Sequence, residues 1–264
     1  MEPKKNFKVV TPRNPRVLLP NIFTLVGVCI GLTSIKFAFD GRFEMAVIAI
    51  IVAGIIDGLD GRIARLIGGA SKVGKELDSL TDVISFGVAP GFIMYFWTLN
   101  EVGKFGWMFV LIYTVCCALR LARFNLTTIE ESEIWKINFF QGVPSPAAAG
   151  LVLMPLILNL SGLIKIGDTS TISSIVILIT SVLMVSNIPT YSLKRIVIPR
   201  NLTIFLLLGI GVYISLLIFY TFITLFFTGV IYVLLIPISF FHFRNTSKKY
   251  KAIIKEEEET EDIL

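Results

Sequence analysis

Long apolar runs separated by short polar intervals organise this chain. A membrane-spanning helix needs about 20 apolar residues. Eight stretches reach that length: Leu18–Phe39, Phe43–Ile63, Leu77–Trp97, Phe105–Ala122, Ala147–Ile164, Ile172–Ile188, Leu202–Phe219 and Phe222–Phe243. The pattern predicts an all-α polytopic membrane protein with eight transmembrane helices and short loops. The last two runs are parted only at Tyr220–Thr221, which predicts a tight helical hairpin. Pro144 and Pro146 interrupt the chain before the fifth run and predict a re-entrant turn there. The carboxyl end changes sign, from Lys248-Lys249-Tyr250-Lys251 to an acidic run over 256–262, and reads as a disordered charged tail. The expected organisation is a basic amino-terminal segment (1–17), a transmembrane domain (18–190), a loop and carboxyl-terminal transmembrane hairpin (191–243), and a charged tail (244–264).

Composition agrees with the pattern. Of 264 residues, 55% are hydrophobic and 16% charged, with a mean hydropathy of +0.80. These values exclude an ordinary soluble domain. A net charge of +5 does not point to nucleic acid, because the bases follow membrane topology. With the amino terminus in the cytoplasm, 20 Lys and Arg lie in the inner segments and three, Arg42, Lys104 and Lys165, in the outer loops. Lys36, near the outer end of the first helix, can snorkel. Both termini and the polar stretches 62–75, 120–144 and 189–200 are thereby expected on the cytoplasmic face. No signal peptide is expected in the basic amino-terminal segment. Cys29, Cys116 and Cys117 read as small apolar-run side chains, neither disulfide nor metal ligands. His242, the only histidine, reads as an interfacial structural residue.

Against this background, Asp57, Asp60, Asp78 and Asp82 stand out. Each pair is spaced to share one helix face. Gly68, Gly69 and Ser71 lie between the pairs and suit a turn, so two acidic faces can meet at the end of a helical hairpin. Four carboxylates at a membrane edge repel unless a cation holds them. Carboxylate oxygens without His or Cys suit Mg²⁺ or Mn²⁺, and four of them could hold two ions in a phosphate clamp. Gly61 and Ala64 clear a helix face beside the acids. They could admit a ligand or serve helix packing. Arg62 and Arg65 could bind a phosphate or simply flank the membrane. Ion pairing of the acids with Arg62, Arg65, Lys72 and Lys75 is the structural alternative.

The ungapped pattern Asp57-x2-Asp60-Gly61-x2-Ala64-Arg65-x8-Gly74-x3-Asp78-x3-Asp82 resembles the signature of the CDP-alcohol phosphatidyltransferase family. The resemblance implies a six-helix core, here followed by the carboxyl-terminal hairpin, and a homodimer. It implies phosphatidyl transfer from CDP-diacylglycerol to an alcohol with release of CMP. Asp57, Asp60, Asp78 and Asp82 would be metal ligands, with Asp82 also the general base. Gly61, Ala64, Arg65 and Gly74 would line the CDP-lipid site.

Three further stretches resemble the phosphatidylserine synthase branch: Glu76–Pro90, Leu119–Asn125 and Phe140–Gly150, together with the opening Leu19-Pro20-Asn21 to Thr24. Thr81-Asp82-Val83 departs from the Ala-Asp-Lys usual in the glycerophosphate branch. L-Serine is therefore the expected acceptor. A zwitterion needs a cation for its carboxylate. Arg120 and Arg123 share a helix face and could supply it, or could hold the donor phosphate. Ser85 and Asn125 are polar groups at the expected pocket edge. The alternatives are another acceptor of the glycerol 3-phosphate or inositol type, and a divalent-cation or proton transporter using membrane acids.

Overall fold

A computed structural model describes residues 18–66, 72–126, 139–164, 167–191 and 202–261. The amino-terminal segment and the glycine-containing turn at 67–71 lie outside the described residues. The chain is mostly helical. Helix α1 (Leu18–Phe39) turns at Gly41, whose φ of 74° suits glycine, and returns as α2 (Phe43–Leu66). Then α3 (Lys72–Asp82), a π-helical turn (Val83–Val88) and α4 (Ala89–Trp97) form one span. A short 3₁₀ turn (Leu99–Val102) leads to α5 (Lys104–Leu126). After it come α6 (Ser145–Val152), α7 (Met154–Ser161), α8 (Thr169–Val185), α9 (Thr203–Phe219) and α10 (Thr221–Glu261). Among the described residues, four stretches are long and apolar enough to cross a membrane: Pro20–Phe39, Val73–Trp97, Lys104–Leu126 and Thr221–Ser247. Large apolar side chains cover the outer surface, and α9 buries none of its residues. Such a surface suits hydrocarbon and not water.

Close helix approach determines where the site can form. On α1, Gly27 faces Thr81, and a Cβ on Gly31 would meet the Ser85 Oγ at 2.5 Å. On the π turn, a Cβ on Gly87 would meet the Cys117 Sγ of α5 at 3.1 Å. The π turn has a local cause. Pro90 has no N–H for the carbonyl of Phe86, four residues back. The buried Tyr113 hydroxyl of α5 donates to that carbonyl instead, at 2.7 Å. The core lies where the π turn and α4 meet α5, α6, α7 and α8, around Phe86, Ile93, Met94, Tyr113, Leu153 and Ile177.

The structure departs from the sequence expectations in three places. The fifth run is two helices, broken at Leu153, because Pro155 cannot donate to the carbonyl of Leu151. In place of a simple re-entrant turn, β1 (Phe139–Gln141) pairs antiparallel with β2 (Pro189–Tyr191), with Phe140 opposite Thr190. Gly142 closes this ribbon at φ 74°, its N–H donating to the Ile188 carbonyl at 2.9 Å. The charged tail is not disordered backbone: α10 continues to Glu261. Its Ala, Lys and Glu residues are strong helix formers and extend the helix that precedes them. The hairpin at Tyr220–Thr221 forms as expected, and the Thr224 hydroxyl donates to the Leu216 carbonyl at 3.0 Å to brace it.

Candidate active site

The inward face of α2 runs through Ala46, Ile50 and Ala53, all buried. Continuing at the same alternating spacing of four and three, the stripe reaches Asp57 and Asp60. The acids therefore stand on the face that points into the protein, and Asp60 is only 3% exposed. The α3 helix presents Asp78 and, one turn on, Asp82 toward them. One carboxylate oxygen each from Asp57, Asp60 and Asp78 falls within 4.8 Å of the others, a spacing that could hold a metal ion. The carboxyl groups of Asp57 and Asp82 stand in hydrogen-bond contact.

Among the described residues, none of the four aspartates forms an ion pair. Among the described residues the ion pair within 4 Å is Lys36 with Asp40, at the opposite end of α1. The expected alternative partners Arg65 and Lys72 have side chains outside the described residues. The Oδ1 of Asp82 is buried and has no hydrogen-bond partner. Like charges this close are stable only with a proton or a cation between them. An all-oxygen set with an unsatisfied buried oxygen fits a hard divalent cation.

Thr24 on α1 braces the cluster: its hydroxyl donates to Asp60 Oδ2 at 2.8 Å. Gly61 lies beside Asp60, and a Cβ there would meet no described residue within 4 Å. Gly74 lies one turn before Asp78 and is half-buried. Ala64 and Arg65 belong to the last turn of α2, with side chains outside the described residues.

The other expected residues separate. Arg120, 7% exposed, donates from Nη1 to Ser145 Oγ at 2.5 Å, while its buried Nε has no partner. It interacts electrostatically with Asp82. Arg123 turns to the end of α8. Its guanidinium donates to the carbonyls of Val185 and Ser186 and to Asn187 Oδ1, each at 3.1 Å. Asn125 donates from Nδ2 to Ser79 Oγ at 2.8 Å and ties α5 to α3. Ser85, 1% exposed, lies under α1 with its hydroxyl 3.4 Å from the Gly27 carbonyl. His242 accepts or donates through Nδ1 at the Tyr191 hydroxyl, 2.9 Å away, in an aromatic cluster with Phe139.

Three polar residues of this region carried no assigned role in the sequence: Thr24, Ser145 and Thr190. Thr190 donates to the Gly142 carbonyl at 2.8 Å. Thr24 lies within the first apolar run and Ser145 and Thr190 lie beside the fifth and sixth, and a polar residue in or beside an apolar run was the available signal.

Comparison with known proteins identifies the family. The pattern of the family described as "CDP-alcohol phosphatidyltransferase" matches residues 17–190, and that described as "CDP-alcohol phosphatidyltransferase 2" matches residues 201–237. A Helicobacter pylori (strain ATCC 700392 / 26695) protein named CDP-diacylglycerol–serine O-phosphatidyltransferase is 40% identical over 196 residues, 74% of this chain and 80% of the relative. A Mycobacterium leprae (strain TN) protein of the same name is 38% identical over 195 residues, 72% of this chain and 65% of that relative's longer sequence. A Methanocaldococcus jannaschii protein, again of that name, is 32% identical over 180 residues, 67% of this chain and 77% of the relative.

Proposed function

This chain belongs to the CDP-alcohol phosphatidyltransferase family, and on that premise we propose that it transfers the phosphatidyl group of CDP-diacylglycerol to L-serine, forming phosphatidylserine and CMP. The observation that carries the reaction class is the convergence of Asp57, Asp60 and Asp78 at the end of a helical hairpin, without a Lys or Arg ion pair among the described residues. The names of the relatives support serine as acceptor.

Asp57, Asp60 and Asp78, with Asp82, would hold the cation or cations, Mg²⁺ or Mn²⁺, with two ions matching four carboxylates. A divalent cation there supplies neutralisation of the charge that builds on the leaving phosphate. Asp82 stands one turn beyond Asp78 and takes the proton of the acceptor hydroxyl as that oxygen attacks phosphorus. Gly61 lets the donor headgroup approach the helix backbone, with Ala64, Arg65 and Gly74 flanking it. Arg120 holds an oxyanion of the substrate. Ser85 and Asn125 act through packing, Ser85 against α1 and Asn125 against Ser79. Arg123 acts by holding the α8 end against α5. The acids and both termini face the cytoplasm, the bilayer is crossed eight times, the hairpin of α9 and α10 follows a six-helix core, and the protein works as a homodimer.

The test uses purified protein, CDP-diacylglycerol, Mn²⁺ or Mg²⁺, and a panel of labelled alcohols. CMP release with serine supports the reading. Release only with glycerol 3-phosphate or an inositol acceptor sinks the serine assignment. No release with any acceptor, alongside metal uptake into vesicles, would identify a transporter.

A further inference from the structure

Helix α10 lies beyond the stretch matched by the main family pattern, yet it reaches the polar centre of the molecule. Its inward face is set by contacts with the ribbon. His242 meets Tyr191, and Phe243 packs edge-on against Phe139 with ring centroids 5.2 Å apart. About three turns earlier, Tyr232 lies against Thr190 and Tyr191 of β2, within electrostatic reach of Arg120 on α5. Its hydroxyl is buried and makes no hydrogen bond. It approaches Thr190 without closing one, and the Thr190 hydroxyl already donates to the Gly142 carbonyl. The other polar group within electrostatic reach is the guanidinium of Arg120.

Two buried groups of this region make no hydrogen bond: the Tyr232 hydroxyl, which can donate or accept, and the Arg120 Nε–H, which can only donate. Nη1 of Arg120 is occupied by Ser145. A buried donor left unmade costs about 1–3 kcal/mol. An oxyanion bound between the two would accept from both. The ring of Tyr232 also lines an apolar cavity of about 280 Å³ between α2, the π turn, α6 and α10, so it borders both a hydrocarbon space and a charged one.

We infer that Tyr232 is a substrate-binding residue supplied by the carboxyl-terminal hairpin, donating its hydroxyl, beside Arg120, to an oxyanion of the substrate. This rests on the phosphatidyl-transfer reading. The oxyanion is the acceptor's carboxylate or a phosphate oxygen of the donor. Arg120 lies within electrostatic reach of Asp82, and an acceptor with its hydroxyl at Asp82 and its carboxylate at Arg120 would bridge the two.

The experiment compares wild type and Tyr232→Phe, full-length in lipid nanodiscs, with KM measured separately for serine and for CDP-diacylglycerol. The substitution keeps the ring and removes only the hydroxyl. The expected result is CMP release retained, with one KM raised about ten-fold or more, as loss of a hydrogen bond to a charged group gives. A rise for serine alone identifies the carboxylate; a rise for CDP-diacylglycerol alone identifies the phosphate. The melting temperature without substrate should hold or rise, since an unpaired buried hydroxyl is gone. Unchanged KM values for both substrates overturn the inference, and so does a lowered melting temperature with no KM change. Absence of CMP release in wild type with every acceptor refutes the underlying reading instead.

Discussion

Thr24 and Asp60 are joined by a 2.8 Å hydrogen bond across 36 positions of sequence. The same hydroxyl lies 3.0 Å from the Pro20 carbonyl. With a single proton to give, it serves the carboxylate, the stronger acceptor. The bond fixes the rotamer of a buried acid and leaves the other oxygen to turn toward Asp57 and Asp78. Outer partners of this kind orient metal-binding carboxylates.

Thr24→Val keeps the shape and removes the donor. The apparent affinity for Mn²⁺, from metal titration of CMP release, should fall about 10- to 100-fold. Thr24→Ser should restore most of it. Equal metal affinity in Thr24→Val would show that Asp60 needs no brace.

Asp82→Asn should cut turnover by about 10²–10⁴-fold, the usual contribution of a general base. Binding of CDP-diacylglycerol, followed by ligand-dependent thermal shift, should be largely kept. Near-normal rates would exclude Asp82 as the base.

Chelation should abolish CMP release, with recovery on excess Mg²⁺ or Mn²⁺. Asp78→Asn should block that recovery at metal concentrations that saturate wild type, because it removes one of the three converging carboxylates. Activity that survives exhaustive chelation would contradict a metal-dependent reaction.

Arg120 and Arg123 should behave differently despite lying three residues apart. Arg120→Lys should raise a substrate KM about ten-fold or more, since an ammonium cannot reach both Ser145 and an oxyanion with a planar fork. Arg123→Lys should mainly lower thermal stability, by loosening its bonds to Val185, Ser186 and Asn187. Reversed outcomes would exchange their roles.

Gly31→Ala should destabilise by about 1–3 kcal/mol, the usual cost of overpacking. Its Cβ would stand 2.5 Å from Ser85 Oγ and 3.1 Å from Ser85 Cα, so a side-chain rotation alone cannot relieve it. Gly61→Ala, inside α2 and with no described residue within 4 Å, should hold or raise the melting temperature. Thermal unfolding in detergent measures both.

Local pattern determined much of this protein. Run length sets helices, and the spacing of Asp57, Asp60, Asp78 and Asp82 sets which faces carry the acids, because both follow from a 3.6-residue period. The same period carries the buried stripe of α2 from Ala46 to Asp60. The signature around those acids indicated the family. What the period cannot hold is which distant group a side chain meets. Arg120 and Arg123 were equivalent in sequence; packing sends one to Ser145 in the interior and the other to the end of α8. The break at Leu153, the π turn relieved by Tyr113, and the ribbon between Phe139–Gln141 and Pro189–Tyr191 all depend on backbone groups finding partners far along the chain. Tyr232 is the clearest case. No charged residue lies near it in sequence, and only the docking of α10 on the ribbon brings it within electrostatic reach of Arg120.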